Sequence, residues 1–301
     1  MPNWIPLAQF AQRTPQGIAQ ADWQHPVSRP TSAMTLRAGV EEVVDTVTAL
    51  QRAEWLEDGV YVGTNAFAET YETLVECARC LGVAVPPAVI SPIPARKQRI
   101  LGTDARPFLH LSSFFLRTAP VAERQFALGR LLGPIATRRV TSDSLYALLV
   151  DDGGLRTLAR RSLGPTVEVA LAPASLAARL LWSRSHRMSE ISADRAGLLC
   201  TDSITNAGRA LLRMALGVTP DVEPDAYLAQ LNAHRDGSPG KWAELLASSP
   251  WTHKRIGALK LFSTSQAYAR AQQREPDASS LSDVDLDAAV DALLEIRPWS
   301  A

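Results

Sequence analysis

The sequence has few cysteines, no excess of either charge and no long apolar run, and each lack removes a class of protein. Its 301 residues include only Cys77, Cys80 and Cys200, too few for a disulfide framework and in keeping with a reducing cytoplasm. Lys and Arg number 31, as do Asp and Glu, for a formal charge of zero. A general nucleic-acid binder or an anionic-membrane binder is therefore not expected. No stretch approaches the ~18 uninterrupted apolar residues of a membrane-spanning helix. Residues 1–20 carry no charged segment followed by an apolar run, so no secretory signal is expected and the reading is cytoplasmic. A G-x-S-x-G nucleophile elbow, a phosphate-binding loop and a dinucleotide fingerprint are also missing, and no cofactor is expected.

What is present looks like a globular chain, 46% hydrophobic and 21% charged, long enough for one large or two modest domains. Residues 1–33, punctuated by Pro2, Pro6, Pro15, Pro26 and Pro30, read as an extended arm over the body, because Trp4 and Trp23 are costly to leave in water. Apolar residues recur at helical spacing over 35–55 and 67–81, and Gly82 supplies a stop. Short β-leaning runs at 83–90, 99–101 and 107–111 predict a sheet of about three strands. Beyond Leu116 the pattern is helical, over 119–133, 143–150, 166–184, 187–200, 204–216, 224–234, 251–272 and 282–296. The expected class is α+β, mostly helical with one small β-sheet. Residues 1–104 form an N-terminal region, 105–272 the body and 273–301 an acidic amphipathic end, packed as one unit.

Charge is uneven within the neutral total. Residues 153–187 hold Arg156, Arg160, Arg161, Arg179, Arg184 and Arg187 against Glu168 alone. Residues 276–296 hold Asp277, Asp283, Asp285, Asp287, Asp291 and Glu295 with no base. Two readings stand: solvated helix faces, or blocks that attract each other within the chain or between copies in an oligomer. Cys77 and Cys80 form a C-x-x-C near a helix end, with only Cys200 left to complete a metal site, and read as semi-buried thiols.

On the helix around 187–200, Glu190 and Asp194 are four residues apart on one face, beside the small residues Ala193 and Ala196. Buried carboxylates need partners. Arg187, Glu190, Ala193, Asp194 and Gly197 fall in register with an R-x-x-E-x-x-A-D-x-x-A/G helix. The block resembles the third-ligand helix of HExxH zinc metallopeptidases of the HtpX and CAAX-prenyl-protease type. Upstream, Glu123, Phe126, Leu128, Leu132, Gly133 and Ile135 match that family's E-x-x-F-V-L-x-H-E-L-G-H-I. Downstream, Pro250, Arg255, Ile256 and Leu259 match its S-T-H-P-x-x-x-x-R-I-x-x-L, and Ser263 to Tyr268 its following helix. The resemblance spans about 105–268 and implies a zincin-like body, a zinc-ligating role for position 190 and a supporting one for position 194.

The residues that would do the chemistry are replaced. By that resemblance Arg130 stands at the first zinc histidine, Leu131 at the general-base glutamate, Pro134 at the second histidine and Ser249 at the downstream histidine. A guanidinium has no lone pair and a fixed positive charge. Leucine takes no proton from water, and one remaining carboxylate does not hold zinc. The expectation is a pseudopeptidase, a non-catalytic protein- or peptide-binding or scaffold protein. Arg130 is expected to pair with Glu190, with Asp194 nearby; the other reading turns it to solvent. Phe108, Leu109, His110 and Leu111 are expected to form an edge strand able to pair with an extended peptide. Two alternatives remain: a metal-dependent hydrolase rebuilt around His186, Glu190 and Asp194, helped by His110, or a structural subunit of a larger cytoplasmic assembly.

Overall fold

The structure, a computed structural model, describes residues 24–26, 38–148, 165–218, 222–233 and 250–295. It is α+β, mostly helical, with one four-stranded mixed sheet. Helix α1 (Ala38–Glu57) leads to β1 (Val60–Tyr61) and α2 (Ala68–Leu81). Gly82 ends α2 as its sequence predicts: at φ 64° its N–H turns back to the carbonyls of Ala78 and Arg79. Then come β2 (Ala88–Ser91), a 3-10 turn at Ala95–Lys97, β3 (Arg99–Thr103) and β4 (Arg106–Ser112).

The expected sheet of about three strands is thus present, with a two-residue β1 added that is too short to show alternation. The strand order is β1-β2-β4-β3, with β2 and β4 parallel and the outer pairs antiparallel. This corrects the edge-strand expectation. Phe108, Leu109, His110 and Leu111 lie in β4, which is paired on both sides, so its ladder groups are already used. The edge beyond β4 is β3. Thr103 to Arg106 closes a tight hairpin, and Gly102 permits it at φ +119°, where a Cβ would lie 2.1 Å from the Arg106 carbonyl oxygen.

Beyond the sheet, 113–118 is a short helix α3 (Ser113–Thr118), with the Ser112 hydroxyl accepting from the Phe115 N–H. Next follow α4 (Val121–Ala136), α5 (Val140–Tyr146), α6 (Pro165–Thr201), α7 (Ile204–Leu216) and α8 (Pro224–Ala233). The chain's described part ends with α9 (Thr252–Ser263), α10 (Gln266–Ala271) and α11 (Asp283–Leu294). The two helices expected at 166–184 and 187–200 are one: Ser183 and Ser185 are weak helix formers, but packing overrides propensity. The single helix expected over 251–272 is instead broken by Ser265, whose hydroxyl caps α10. Ser282 caps α11, its hydroxyl accepting from the Asp285 N–H.

One buried apolar cluster runs from Val62 through Leu74, Leu109, Phe126, Leu198 and Phe262 to Leu294. At its centre α4 lies against α6 with almost no side chain between. A Cβ on Gly197 would come within 2.6 Å of the Phe126 carbonyl oxygen, and one on Gly133 within 3.0 Å of the Ala193 Cα. Of the N-terminal arm, Gln24 and His25 are buried against the body, where the His25 N–H donates to the Ser192 hydroxyl at 3.1 Å. Trp4 and Trp23 lie outside the described residues. No helix among the described residues is long and apolar enough to cross a membrane.

Candidate functional site

The close α4–α6 contact decides where the polar side chains go. Arg130 leaves α4 on the side facing α6, where Glu190 and Asp194 leave one turn apart. Arg130 Nη2 donates to Glu190 Oε2, and its Nε donates to Asp194 Oδ1 at 2.9 Å. A second guanidinium arrives from α9. Arg255 donates to Asp194 through Nε at 2.7 Å and through Nη2 at 2.6 Å, a forked pair. Asp194 has no exposed side-chain surface, and the other three are mostly buried. Two carboxylates and two guanidinium groups therefore neutralise one another.

Burial alone would raise the Glu190 carboxyl, but the charges of Arg130, Arg255 and His186 outweigh it and hold the group below its ordinary value. Burial would likewise lower Arg255, yet Asp194 holds it above the usual arginine value. Leu131 and Pro134 are buried in the same stretch of α4 and line the adjoining cleft. Pro134 has no N–H to give the carbonyl of Arg130 four residues earlier, so the helix is weakened at the arginine itself. Ser249 lies outside the described residues.

The zinc that the resemblance implies does not fit this donor set. Both carboxylates are engaged by guanidinium, and leucine and proline offer no lone pair. The rebuilt stripe of His186, Glu190 and Asp194 does not converge either. His186 stacks on Tyr146, ring centroids 4.0 Å apart, and its Nδ1 is 3.9 Å from Asp143 Oδ1. Asp143 belongs to a separate network, accepting from Arg139 at 3.3 Å and from the Ser189 hydroxyl at 2.7 Å. Burial would raise the Asp143 carboxyl, but Arg139, His186 and Ser189 together lower it. Among the described residues no three His, Cys, Asp or Glu side chains are grouped to hold a metal ion.

His110 is kept from the cleft by the sheet. Its Nε2 is 2.6 Å from the Ser91 hydroxyl, its ring stacks on Trp55 at 4.0 Å, and burial, then the charge of Arg99, lowers it to about 4.

The cleft beside the four-charge cluster has a volume of about 870 Å³. Its lining includes β3 with the 3-10 turn before it, and Pro250, Trp251 and Thr252. The β3 edge has a definite polarity. Ladder groups of an antiparallel strand alternate between its two sides, and the Gly102 N–H points away from β4 to the Ser144 hydroxyl at 3.0 Å. Ile100, two residues earlier, must then also turn its N–H and C=O outward, and among the described residues neither has a partner. Arg96 and Lys97 stand exposed beside this edge.

The charge blocks meet in part. Arg184 lies 3.5 Å from Asp291 on α11, and the His25 ring 3.6 Å from the same carboxylate. Arg156, Arg160 and Arg161 lie outside the described residues, and the side chain of Arg179 is not described. The three thiols also gather. Cys77 donates to the Gln125 carbonyl and Cys80 to that of Leu199, while Cys200 approaches the Cys77 carbonyl at 3.9 Å.

Sequence reasoning paired Arg130 with Glu190 but gave Arg255 no partner. Its register with the family pattern was the available signal. In the Arg139–Asp143–Ser189 network the four-residue spacing of Arg139 and Asp143 was a local signal, whereas Ser189 and the unpaired edge at Ile100 carried none. Compared with models of protein families, with curated proteins and with solved structures, the chain has no match in any of the three.

Proposed function

We propose that this protein is a pseudopeptidase, a non-catalytic cytoplasmic protein related to the HExxH zinc metallopeptidases it resembles, which binds an extended peptide or protein segment in the cleft beside β3. One observation carries this reading: Arg130 and Arg255 satisfy Glu190 and Asp194, at the positions where the resemblance expects zinc chemistry. With those carboxylates saturated and Leu131 beside them, the cluster has no group to activate water. It retains a structural use, tying α4, α6 and α9 into one wall.

The neighbouring edge supports the binding half of the reading. A strand with free ladder groups takes up an extended segment by main-chain pairing, which needs no catalytic side chain. The hydrolase alternative has nothing comparable in its favour, because its three residues are divided between two networks. To test the reading, the protein is incubated with a pool of extended decapeptides. Cleavage is read by mass spectrometry and backbone protection by amide hydrogen exchange. Expected are slowed exchange at Ile100 and intact peptides; chelator-sensitive cleavage contradicts the proposal.

A further inference from the structure

The cleft has a charge asymmetry that its own acids do not cancel. The acids lining it are Asp143 and Glu190, and both are taken: Asp143 by Arg139 and Ser189, Glu190 by Arg130. Arg255 is taken by Asp194. Arg96 and Lys97 differ. They occupy the 3-10 turn that runs directly into β3, both are exposed, and among the described residues neither has a carboxylate within ion-pair distance. Two uncompensated cations at one end of a groove raise the local concentration of anionic ligands and orient them on arrival.

Position along the strand adds direction. Arg96 and Lys97 precede β3, and the open ladder groups belong to Ile100. A segment added antiparallel to β3, the slightly more stable pairing, runs opposite to it. Its C-terminal half then lies beside Arg96 and Lys97, and its N-terminal half lies toward Gly102, where Ser144 already closes the edge. Trp251, 38% exposed, lines the same cleft and offers an apolar surface to the side chains of a bound segment.

Resting on the reading of this cleft as a peptide groove, we infer that its ligand is an acidic peptide, held antiparallel to β3 with its acidic C-terminal half between Arg96 and Lys97. Recognition combines sequence-independent pairing at Ile100 with selection by charge at the turn. Since both cations are exposed, each is worth a modest factor and is screened by salt.

The test uses fluorescence anisotropy with the full chain and four labelled, end-capped decapeptides of equal length: neutral, basic, acidic in the C-terminal half, and acidic in the N-terminal half. The C-terminally acidic peptide is expected to bind about three- to tenfold more tightly than the neutral one, the gap closing at 1 M salt. The double substitution Arg96→Glu with Lys97→Glu, on an exposed turn, is expected to reverse the preference toward the basic peptide while binding of the neutral peptide persists. Equal binding of all four overturns the charge selection but leaves the groove. Preference for acid in the N-terminal half overturns the direction. No binding of any peptide, with the chain shown folded by circular dichroism, overturns the inference and the proposed function together.

Discussion

Arg130 is a cation whose surroundings would be unfavourable without it. Glu190 and Asp194 are buried one turn apart, and removing one partner of a buried pair leaves charge uncompensated. Arg130→Ala is therefore expected to lower stability by about 3–5 kcal/mol, seen as a shift in denaturant midpoint at unchanged slope. Replacing both partners, Arg130→Met with Glu190→Leu, is expected to recover most of that loss, because Arg255 keeps its two bonds to Asp194. The pairing could be anticipated in the sequence because a carboxylate on a small-residue helix face demands a partner and arginine is the nearest cation in the family register. Arg255 stands in the same register, but the pattern it matches assigns it no carboxylate, so its forked bond to Asp194 is supplied by the fold.

Acid should act on these residues in two stages. His110 and His25 both lie at about 4 in the folded chain, for His110 through burial and Arg99, for His25 through burial and Arg195. A histidine lowered on folding favours the folded state fully above its unfolded value, about 6.5, and loses that contribution as pH falls from there toward 4. Glu190 and Asp143 are lowered carboxylates, so their contribution is present above about 4 and is lost at lower pH. Equilibrium unfolding measured from pH 7 to 3 should therefore weaken first below about 6.5. His110→Phe, which keeps a ring against Trp55, should reduce that first limb to the part due to His25 without changing the second.

Among the elements, the α4–α6 contact is the part least able to yield. A methyl at position 197 meets backbone, the Phe126 carbonyl oxygen, rather than a movable side-chain tip. Gly197→Ala is expected to cost about 1–3 kcal/mol despite alanine's better helix propensity. Gly63→Ala, where an added Cβ meets nothing within 4 Å, is expected to stay within about 0.5 kcal/mol, and paired thermal melts separate the two.

Most helices were legible because the 3.6-residue period and a stop such as Gly82 are local. Strand order was not, because it depends on partners distant in sequence. The structure settles it: β4 is buried from Pro107 to Ser112 and pairs with β2 on one side and β3 on the other. The α6 break expected near Ser183–Ser185 failed for a similar reason: local propensity is weak beside tertiary packing.

For the molecule as a whole, the four-charge cluster joins α4, α6 and α9, and the buried pair of Glu123 and Arg213, 2.6 Å apart, joins α4 to α7. The helical wall thus rests on fixed ion pairs, and β3, whose Ile100 ladder groups have no partner among the described residues, lines the cleft beside it. Part of the acidic C-terminal helix is already occupied by Arg184 and His25 of the same chain, which leaves less of it for contacts between copies.

The account turns on two guanidinium groups satisfying Glu190 and Asp194 in place of a metal ion. Its most direct test is zinc content after the purified chain is equilibrated with excess zinc and passed through gel filtration, for the natural sequence and for Glu190→Ala. The account predicts no stoichiometric zinc in either. One zinc retained per chain and lost with Glu190→Ala would contradict it.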